Sequence, residues 1–558
     1  MAEVVDTVLR PVIPVLELVR DLLNSLCAGK EPWQVMIYTC ASTLVAVAAY
    51  NFIFQEEPIT VRAKRTFFKI MRMIPQVKRK IDEQLSSTLI YIRKEKNTHL
   101  GGQDYVQYLP KQGLAKDELM IELNKYKALD RGNWQDGWVS GMVYNGQMDL
   151  TDIMSTTYGM FAWSNPLHPE VFPNVVKMEA EIVRMTCNMF NGGPKAVGTM
   201  STGGTESILL VCMAYRNMIQ EKRGVKFPEI IVPITAHAAF DKAAHILRMK
   251  ITHIPVDPIT CKVDMKAMRR AIGRKTCMLV GSAPGFPHGV IDPIQEIAEL
   301  GMNNNIPVHV DACLGGFLIA FMGKAGYPIE PFDFQVPGVT SISADTHKYG
   351  YAPKGSSVIM YSDAKFRHYQ FFQQVNWPGG VYATPTLGGS RAGAIIAACW
   401  SAMMFMGESG YVDATRKIIT TARYIIEELR KNDHITVMGD PQVSVVAIKS
   451  DRFDVYRLVD KLHTRGYTLN PLQFPASIHL CVTLVHTKKG VADRFVKDIR
   501  ELTTEIMKNP DLKAVGQAAV YGLAQSVPDR SLVKELASMY LDSCYSTDNS
   551  SPAANGVA

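Results

Sequence analysis

The chain has 558 residues, of which 47% are hydrophobic and 20% are charged, a globular composition that can fill two or three folded cores. Its net charge is +7, but much of the excess lies in one segment, which excludes a nucleic-acid-binding face spread over a domain. The ten cysteines form no Cys-x-x-Cys pair and have no zinc-finger spacing, so we expect free thiols in a reducing compartment and no bound metal.

The N-terminal region predicts a membrane anchor. Residues 1–31 have a short amphipathic pattern, and residues 32–55 contain no charged residue. About 20 apolar residues span a bilayer, and aromatic residues, which favour its interfaces, lie near both ends of this run. A signal peptide would begin closer to the N-terminus and carry a basic leading region. A buried core helix is the other alternative, and we expect a transmembrane helix over 32–55.

Basic residues follow the predicted span and do not precede it. The positive-inside rule then places the N-terminal segment 1–31 outside the cytosol or in a lumen, and the body of the chain in the cytosol. Residues 56–115 form a basic juxtamembrane connector, which is either a solvated helical linker or a contact surface for anionic lipid headgroups. Its basic residues include Lys64, Arg65, Lys69, Arg72, Lys78, Arg79, Lys80, Arg93 and Lys94.

From about residue 116 the pattern is that of a globular α/β domain. Apolar runs of strand length alternate with helical patterns, which predicts a mostly parallel sheet covered on both faces. We expect a large domain at 116–390, a smaller α+β domain at 391–545 and a disordered tail at 546–558. The predicted strands of the large domain are 230–234, 251–256, 277–282, 306–311, 341–344 and 357–361.

Four features fall at the predicted strand ends, where sheets of this type place their sites. Residues 201–207 form a Gly-rich turn that opens a helix and suits a phosphate group. His237 follows a strand and could stack on a flat ring, while Asp311 ends a strand and could keep a ring nitrogen protonated. Lys348 lies among small, polar and aromatic residues. A buried lysine loses its proton easily, which suits it to forming an imine with a carbonyl.

Each of these features alone has a plainer explanation. The Gly-rich turn is a common turn, and His237 is equally a loop histidine with satisfied hydrogen bonds. Asp311 is equally a loop cap or a metal ligand, and Lys348 a surface lysine in a turn. The ordered set is specific, however, and it indicates a pyridoxal phosphate site with Lys348 as the reactive lysine.

The chain resembles the sphingosine-1-phosphate lyases, a family of fold-type I pyridoxal phosphate enzymes related to the amino-acid decarboxylases. The wider decarboxylase group shares the Asp-Ala and His-Lys motifs but does not usually share the Asn-Pro-Leu-His-Pro loop or the membrane span. One departure is the Ser-Ala-Pro-Gly run at 282–285, where a Thr-Pro-Gln type of run is expected. The resemblance is carried by residues 161–169, 190–194, 202–207, 236–240, 286–293, 309–317 and 343–355.

The resemblance implies an aspartate aminotransferase-like fold and retro-aldol cleavage of a phosphorylated sphingoid base between C2 and C3. The products would be a long-chain aldehyde and phosphoethanolamine. Lys348 would bind the cofactor, Asp311 would pair with its ring nitrogen, and His237 would stack on its ring. The cofactor phosphate would be held by Gly203, Gly204, Thr205 and His347.

The resemblance also implies a homodimer with shared active sites, in which Ser390 reaches the cofactor phosphate of the partner subunit, and anchoring in the endoplasmic reticulum membrane with the N-terminus lumenal. The general base stays open among Lys348, a tyrosine and the substrate phosphate. Candidate ligands for the substrate phosphate are Tyr144, Asn165, His168 and Lys354. The alternatives are loop packing for Tyr144 and Asn165 and a solvated surface cation for Lys354.

Two other functions are compatible with parts of the pattern. An amino-acid decarboxylase would use the same cofactor, but it needs a pocket for a substrate carboxylate and leaves the membrane span unexplained. A membrane-anchored scaffold without activity would keep only the fold, and the presence of Lys348, Asp311 and His237 together argues against it. We therefore expect a lyase that acts on a phosphorylated lipid.

Overall fold

The structure, a computed structural model, describes residues 13–53, 59–101, 103–514 and 530–547. It divides into two compact units, Met1–Thr98 with Ser531–Ala558, and His99–Arg530. Parts of five predicted segments lie outside the described residues: 1–12 of the N-terminal segment, 54–55 of the span, 56–58 and 102 of the connector, 515–529 of the smaller domain, and 548–558 of the tail.

The first unit is helical. Its helix α2 coincides with most of the predicted span and is long and apolar enough, by length and composition, to cross a membrane. The helices of this unit are α1 (Ile13–Cys27), α2 (Pro32–Ile53), α3 (Ile59–Met71), α4 (Pro75–His99) and a C-terminal helix (Arg530–Tyr545).

The C-terminal helix is tied to the N-terminal helices of this unit by polar contacts. Arg72 Nη1 lies 2.8 Å from Glu535 Oε1, and Lys96 Nζ donates hydrogen bonds to the backbone oxygens of Ser543 and Ser546. A lysine at this position satisfies carbonyl groups that a helix end leaves without partners. The C-terminal helix therefore groups with residues 1–98, whereas the sequence-based division placed it in the domain 391–545.

The second unit contains a seven-stranded sheet with the order β1-β7-β6-β5-β4-β2-β3. Strand β7 is antiparallel to its neighbours β1 and β6, and the remaining pairs are parallel. The prediction of a mostly parallel sheet is confirmed, although β1 was not predicted as a strand. The strands are β1 (Val197–Ser201), β2 (Glu229–Pro233), β3 (Lys250–Ile254), β4 (Thr276–Ser282), β5 (Val308–Asp311), β6 (Val339–Ala344) and β7 (Ser357–Tyr361).

Helices connect these strands and cover the sheet. Helix α8 is buried on all sides along residues 207–212 and again at Tyr215, as expected of a helix enclosed within a core. The helices of this region are α5 (Lys116–Lys127), α6 (Met148–Phe161), α7 (Pro173–Met189), α8 (Gly204–Arg223), α9 (Ala239–Leu247), α10 (Met265–Ala271), α11 (Ile294–Asn303), α12 (Gly316–Met322) and α13 (Ala364–Arg367).

Helix α14 (Gly393–Arg430) packs against α6 and α7. It is interrupted at Gly407, whose φ of 57° and ψ of 176° are not helical, so it consists of two helical arms that meet at this glycine. The left-handed φ explains the glycine, since residues with a Cβ rarely adopt it.

A small antiparallel sheet with the order β10-β11-β13-β12 follows, and a separate hairpin is formed by β8 and β9. Along the chain, this hairpin lies between β7 and α14. The remaining elements are β8 (Phe372–Gln374), β9 (Tyr382–Thr384), β10 (Thr436–Val437), β11 (Val445–Lys449), α15 (Val455–Thr464), β12 (Asn470–Leu472), β13 (Ser477–Cys481) and α16 (Val491–Ile506).

Candidate active site

Polar side chains gather at the carboxyl ends of the central strands. Asp311 is the last residue of β5, and Asp345 directly follows β6. The register pairs Asp311 with Ser343 on β6 and with Ser282 on β4. Open α/β sheets place their ligands at this edge, so the strand order brings several predicted site residues to one place.

Lys348 is held in a tight turn after β6. Its backbone N–H donates to the Asp345 carbonyl over 3.2 Å, and its own carbonyl accepts from the Tyr351 N–H over 3.1 Å. This turn brings Lys348 Nζ to 3.0 Å from Asp345 Oδ2, and the two side chains are only 20% and 2% exposed. The lysine is therefore buried and ion-paired.

The ion pair decides the charge of this lysine. Burial lowers the pKa of Lys348, but the combined attraction of the Asp345 carboxylate, Cys313 and Tyr144 raises the pKa above its usual value. The prediction that burial makes Lys348 lose its proton easily is wrong for this paired state, because it left out the counter-ion. Lys348 is an ammonium group while Asp345 faces it.

The Gly-rich turn packs directly on this pair. A Cβ at Gly204 would lie 2.9 Å from both carboxylate oxygens of Asp345 and 3.0 Å from Cys313 Sγ, so a larger residue does not fit. Gly203 and Gly204 lead into α8, and the first N–H groups of a helix have no partner within it. Thr205 lies in that first turn. Together these residues form a site that favours an anion.

His347 borders the same turn. A Cβ at Gly203 would lie 3.6 Å from His347 Cε1, and the Nδ1–H of His347 donates to the Ser356 carbonyl. Burial lowers the pKa of His347, and the nearby Lys354 and Lys348 lower it further, against the opposing effects of Asp345 and the Ser356 hydrogen bond. A neutral imidazole with a fixed tautomer thus lies next to the Gly-rich turn.

Asp311 is held by the loop that follows β5. Its Oδ1 accepts from the Cys313 N–H over 3.0 Å, and Cys313 Sγ donates to Ser343 Oγ over 3.1 Å. His309 lies on the same strand, two residues before Asp311. Its Nδ1 lies 2.9 Å from Ser341 Oγ and its Nε2 lies 3.1 Å from Ser343 Oγ. Burial lowers the pKa of His309 to about 4, so its imidazole is neutral near pH 7.

His237 lies just before α9 and is exposed. Its Nδ1 accepts from the Ala239 N–H over 3.1 Å, which orients the ring. The ring of Phe286 meets it edge-on, with centroids 6.1 Å apart and planes at 84°. One edge of the imidazole is therefore held in place while the ring keeps an exposed surface on which a flat group can stack.

Tyr144 and Lys354 form a second pair beside Lys348. Lys354 Nζ lies 4.9 Å from the centre of the Tyr144 ring, a cation–π arrangement, and Tyr144 packs edge-on against Tyr349 at 4.8 Å. Burial raises the pKa of Tyr144. Lys354 is exposed, as its surface-cation alternative expected, but partial desolvation and repulsion from Lys348 still lower its pKa. Two of the four residues predicted to bind the substrate phosphate are therefore brought together.

The other two predicted substrate residues have different surroundings. The Asn165 side-chain oxygen accepts from the backbone N–H groups of Leu167 and Arg391, each over 3.1 Å, which is the loop packing named as its alternative. The His168 side chain is 54% exposed, and its Nδ1 lies 3.6 Å from Glu170. Among the described residues, these contacts do not connect the side chain of Asn165 or of His168 to Lys348.

Ser390 is exposed, in the loop that precedes α14. The same loop is linked to the Gly-rich turn of its own subunit, because the Leu387 N–H donates to Glu206 Oε1 over 3.3 Å. Glu206 Oε2 in turn accepts from the Thr202 N–H and hydroxyl. Glu206 therefore couples the positions of the two loops.

Asp345 is a central residue of the site that sequence reasoning missed. It lay inside the Ala-Asp-Thr-His-Lys motif, three residues before Lys348. An acid at that spacing is the signal that could have identified it, since three residues separate partners across a single turn. Its Oδ1 is buried and has no hydrogen-bond partner among the described residues, so the carboxylate has capacity for one more contact.

These residues fit pyridoxal phosphate. The group requires an amine, a carboxylate for its ring nitrogen, a flat surface for its ring and an anion site for its phosphate. Lys348, Asp311, His237 and the start of α8 supply side chains and N–H groups of these kinds, and the absence of a Cβ at Gly203 leaves room beside His347.

Comparisons with known proteins agree with this chemistry. Residues 144–450 match the family model described as the pyridoxal-dependent decarboxylase conserved domain. The chain is 54% identical over 530 residues to sphingosine-1-phosphate lyase 1 of Mus musculus, covering 95% of this chain and 93% of the mouse protein. It is 49% identical over 532 residues to sphingosine-1-phosphate lyase of Drosophila melanogaster, covering 95% and 97% of the two chains. A solved Burkholderia pseudomallei sphingosine-1-phosphate lyase superposes with a TM-score of 0.72 at 37% identity, covering 79% of this chain and 98% of that one.

Proposed function

The chain belongs to the sphingosine-1-phosphate lyase family of pyridoxal phosphate-dependent enzymes, and on that premise we propose that it cleaves phosphorylated sphingoid bases between C2 and C3. The products are a long-chain aldehyde and phosphoethanolamine. The observation that carries the proposal is the buried Lys348–Asp345 pair directly beneath the Gly-rich turn, with a second cation, Lys354, beside it.

When bound, pyridoxal phosphate supplies a carbonyl for an amine and a ring that accepts electrons. Lys348 Nζ presents the amine at the sheet edge, and Asp345 sets its protonation. Asp311 presents a carboxylate whose orientation is fixed by the Cys313 N–H. His237 offers a ring surface, and the N–H groups at the start of α8 hold a phosphate. His347 borders that phosphate and can donate to it only when protonated, because its Nδ1–H is bound to the Ser356 carbonyl.

On the substrate side, Lys354 and Tyr144 are the residues we assign to the substrate phosphate. Lys354 contributes a positive charge at the edge of the site, and Tyr144 contributes a hydroxyl beside it. Because burial raises the pKa of Tyr144, its phenol stays protonated near neutral pH and acts as a hydrogen-bond donor. This favours the substrate phosphate, and not this tyrosine or the ion-paired ammonium of Lys348, as the base for the C3 hydroxyl proton.

We also propose that the enzyme is a homodimer. Helix α5 has no buried residue within one subunit, although it carries Leu119, Ile121 and Leu123. The β8–β9 hairpin exposes 54% of Trp377 and 75% of Val381. Isolated apolar residues are common on surfaces, but a helix and a hairpin that both expose apolar side chains are typical of interfaces. Ser390 follows this hairpin, which supports its assignment to the cofactor phosphate of the partner subunit.

The location we propose is the endoplasmic reticulum membrane, with α2 as a single span, the N-terminus in the lumen and the catalytic unit in the cytosol. The apolar α2 and the excess of lysine and arginine after it support this orientation. Lipid substrates with long chains reside in membranes, so an anchored catalytic unit is placed where its substrate is concentrated.

The second candidate is an amino-acid decarboxylase, which the description of the matching family model favours. The two reactions are separated by supplying sphingosine 1-phosphate and glutamate in parallel assays and measuring aldehyde and carbon dioxide. Release of aldehyde from the lipid supports the lyase. Release of carbon dioxide from the amino acid, with no aldehyde from the lipid, would reject it.

A further inference from the structure

Helix α3 has one packed face and one exposed apolar face. Ala63, Phe67 and Ile70 recur at helical spacing and are exposed, with Phe67 at 57% and Ile70 at 58%. On another side of the helix, Phe68 is partly buried. Arg72, in the turn after α3, is paired with Glu535 at 2.8 Å. The helix is therefore held within its unit, while no part of the chain that the structure describes covers its apolar stripe.

The charges around the stripe have a single sign. Residues 58–81 contain no aspartate or glutamate. At 100° per residue, Lys64 falls on one flank of the stripe and Lys69 on the other, and both are exposed. Long basic side chains in such positions reach lipid phosphates while the apolar residues between them enter the bilayer. The basic residues of this segment are Arg62, Lys64, Arg65, Lys69, Arg72, Lys78, Arg79 and Lys80.

Chain length restricts where α3 can lie. Helix α2 ends at Ile53 and α3 begins at Ile59. Six residue steps of fully extended chain reach at most about 20 Å. If α2 crosses the bilayer, the start of α3 is therefore within about 20 Å of the end of the span. That distance is comparable to the headgroup region and the water layer next to it.

We propose that α3 lies along the cytosolic membrane surface, with Phe67 and Ile70 inserted between the headgroups of anionic lipids. The proposal rests on the proposed span α2, and it adds a second contact that fixes the orientation of the first unit on the bilayer. A protein partner would need an acidic surface to match the same charges, whereas the cytosolic leaflet supplies negative charge beside the span without any partner.

Two adjacent phenylalanines on α3 provide a matched test. The full chain is reconstituted into phosphatidylcholine vesicles with or without phosphatidylserine, with p-benzoylphenylalanine in place of either Phe67 or Phe68. Light-driven transfer to a tagged phospholipid is then measured on the gel-resolved chain. We expect several-fold more lipid transfer from position 67 than from position 68, and more transfer in the phosphatidylserine vesicles.

Lys64→Glu with Lys69→Glu provides the charge test, because it keeps the apolar stripe and removes the flanking cations. We expect it to abolish the dependence on phosphatidylserine. Equal lipid transfer from positions 67 and 68, or transfer from position 67 into protein instead of lipid, would overturn the proposal. Carbonate extraction of the same vesicles tests the span α2 independently. A chain that spans the bilayer stays in the membrane pellet, whatever the ratio of lipid transfer from positions 67 and 68.

Discussion

Asp345 Oδ2 lies 3.0 Å from Lys348 Nζ, and the side chain of this aspartate is only 2% exposed. Removing its charge leaves a buried lysine without a counter-ion, which favours the neutral amine. We predict that Asp345→Asn raises the reactivity of Lys348 toward an acylating reagent at fixed pH by about tenfold or more, as measured by mass spectrometry on cofactor-free protein. Asp413→Asn is the control, because its partner Lys417 lies 2.7 Å away and is 56% exposed. Unchanged labelling of Lys348 would show that the pair does not set its charge.

The glycine at the start of α8 is predicted to be essential for cofactor binding. A Cβ at Gly204 would meet both oxygens of Asp345 at 2.9 Å. Overpacking of this kind costs about 1–3 kcal/mol, so we expect Gly204→Ala to weaken pyridoxal phosphate binding about tenfold or more in an absorbance titration. Gly159→Ala is the matched control, since nothing lies within 4 Å of its added Cβ. Equal affinity in the two variants would mean that the turn adjusts without loss.

Lys354 is predicted to contribute to substrate binding and not to cofactor binding. Its Nζ lies 4.9 Å from the Tyr144 ring, and Lys365 Nζ lies at 5.1 Å from the Phe366 ring elsewhere on the molecule. We expect Lys354→Met to raise KM for sphingosine 1-phosphate about tenfold, with the affinity for pyridoxal phosphate kept, because a charged hydrogen bond contributes about 1.5–3 kcal/mol. Lys365→Met should leave both constants near their starting values. A loss of affinity for pyridoxal phosphate in Lys354→Met would show that Lys354 binds the cofactor phosphate and not the substrate phosphate.

Stability is predicted to fall at mildly acidic pH. Burial lowers the pKa of His309, His479 and His486 to about 4 each, so their contribution is present above the unfolded value of about 6.5 and is lost as pH falls toward about 4. Burial raises the pKa of Asp292 to about 7. The effect of Asp292 on stability is therefore opposite to that of the histidines, since the folded state gains stability as this group is protonated below that pH. Three histidines outweigh one aspartate, so the Tm should drop between pH 6.5 and 4.

His479→Gln offers a check on this assignment, because the His479 ring bonds the Pro287 carbonyl and the Asn470 amide through its two nitrogens. Glutamine carries both a donor and an acceptor and does not titrate. The variant should show a shallower decline of Tm with falling pH. An identical slope would contradict a neutral buried histidine at this position.

The β8–β9 hairpin is predicted to lie in the subunit interface. We expect Trp377→Asp, which places a charge on the exposed hairpin, to lower the mass measured by light scattering from that of a dimer to that of a monomer. Activity should be lost with the dimer, because Ser390 is assigned to the partner's site. A variant that stays dimeric and active would exclude the hairpin from the interface.

The sequence predicted the main α/β architecture because β2, β4 and β7 each contain three or four consecutive apolar residues, at 230–232, 277–280 and 358–361, whereas β1 has no two adjacent ones. It missed β1, since Val197–Ser201 contains a glycine and two hydroxyl residues and is ordered by pairing with β7. It identified Lys348 from the order of motifs along the chain. It did not identify the charge of Lys348, because the 3.0 Å contact with Asp345 depends on a turn whose geometry no periodicity encodes.

The grouping of the C-terminal helix with the N-terminal helices could not be predicted for a related reason. Arg72 and Glu535 are separated by 463 positions, and nothing in either local pattern indicates the other. Local patterns define an element, whereas the partner of an element depends on contacts between distant parts of the chain. The same limit applies to Tyr144 and Lys354, which were named separately and not as a pair.

The most direct test of the proposed function is cleavage of sphingosine 1-phosphate by the purified full-length protein with pyridoxal phosphate, and with Lys348→Ala as the control. Long-chain aldehyde and phosphoethanolamine should appear in equal amounts with the unaltered chain. Lys348→Ala should remain folded, lose the visible absorbance of the lysine-bound cofactor and form neither product. Absence of aldehyde from the unaltered, cofactor-loaded protein, or full activity in Lys348→Ala, would contradict the assignment.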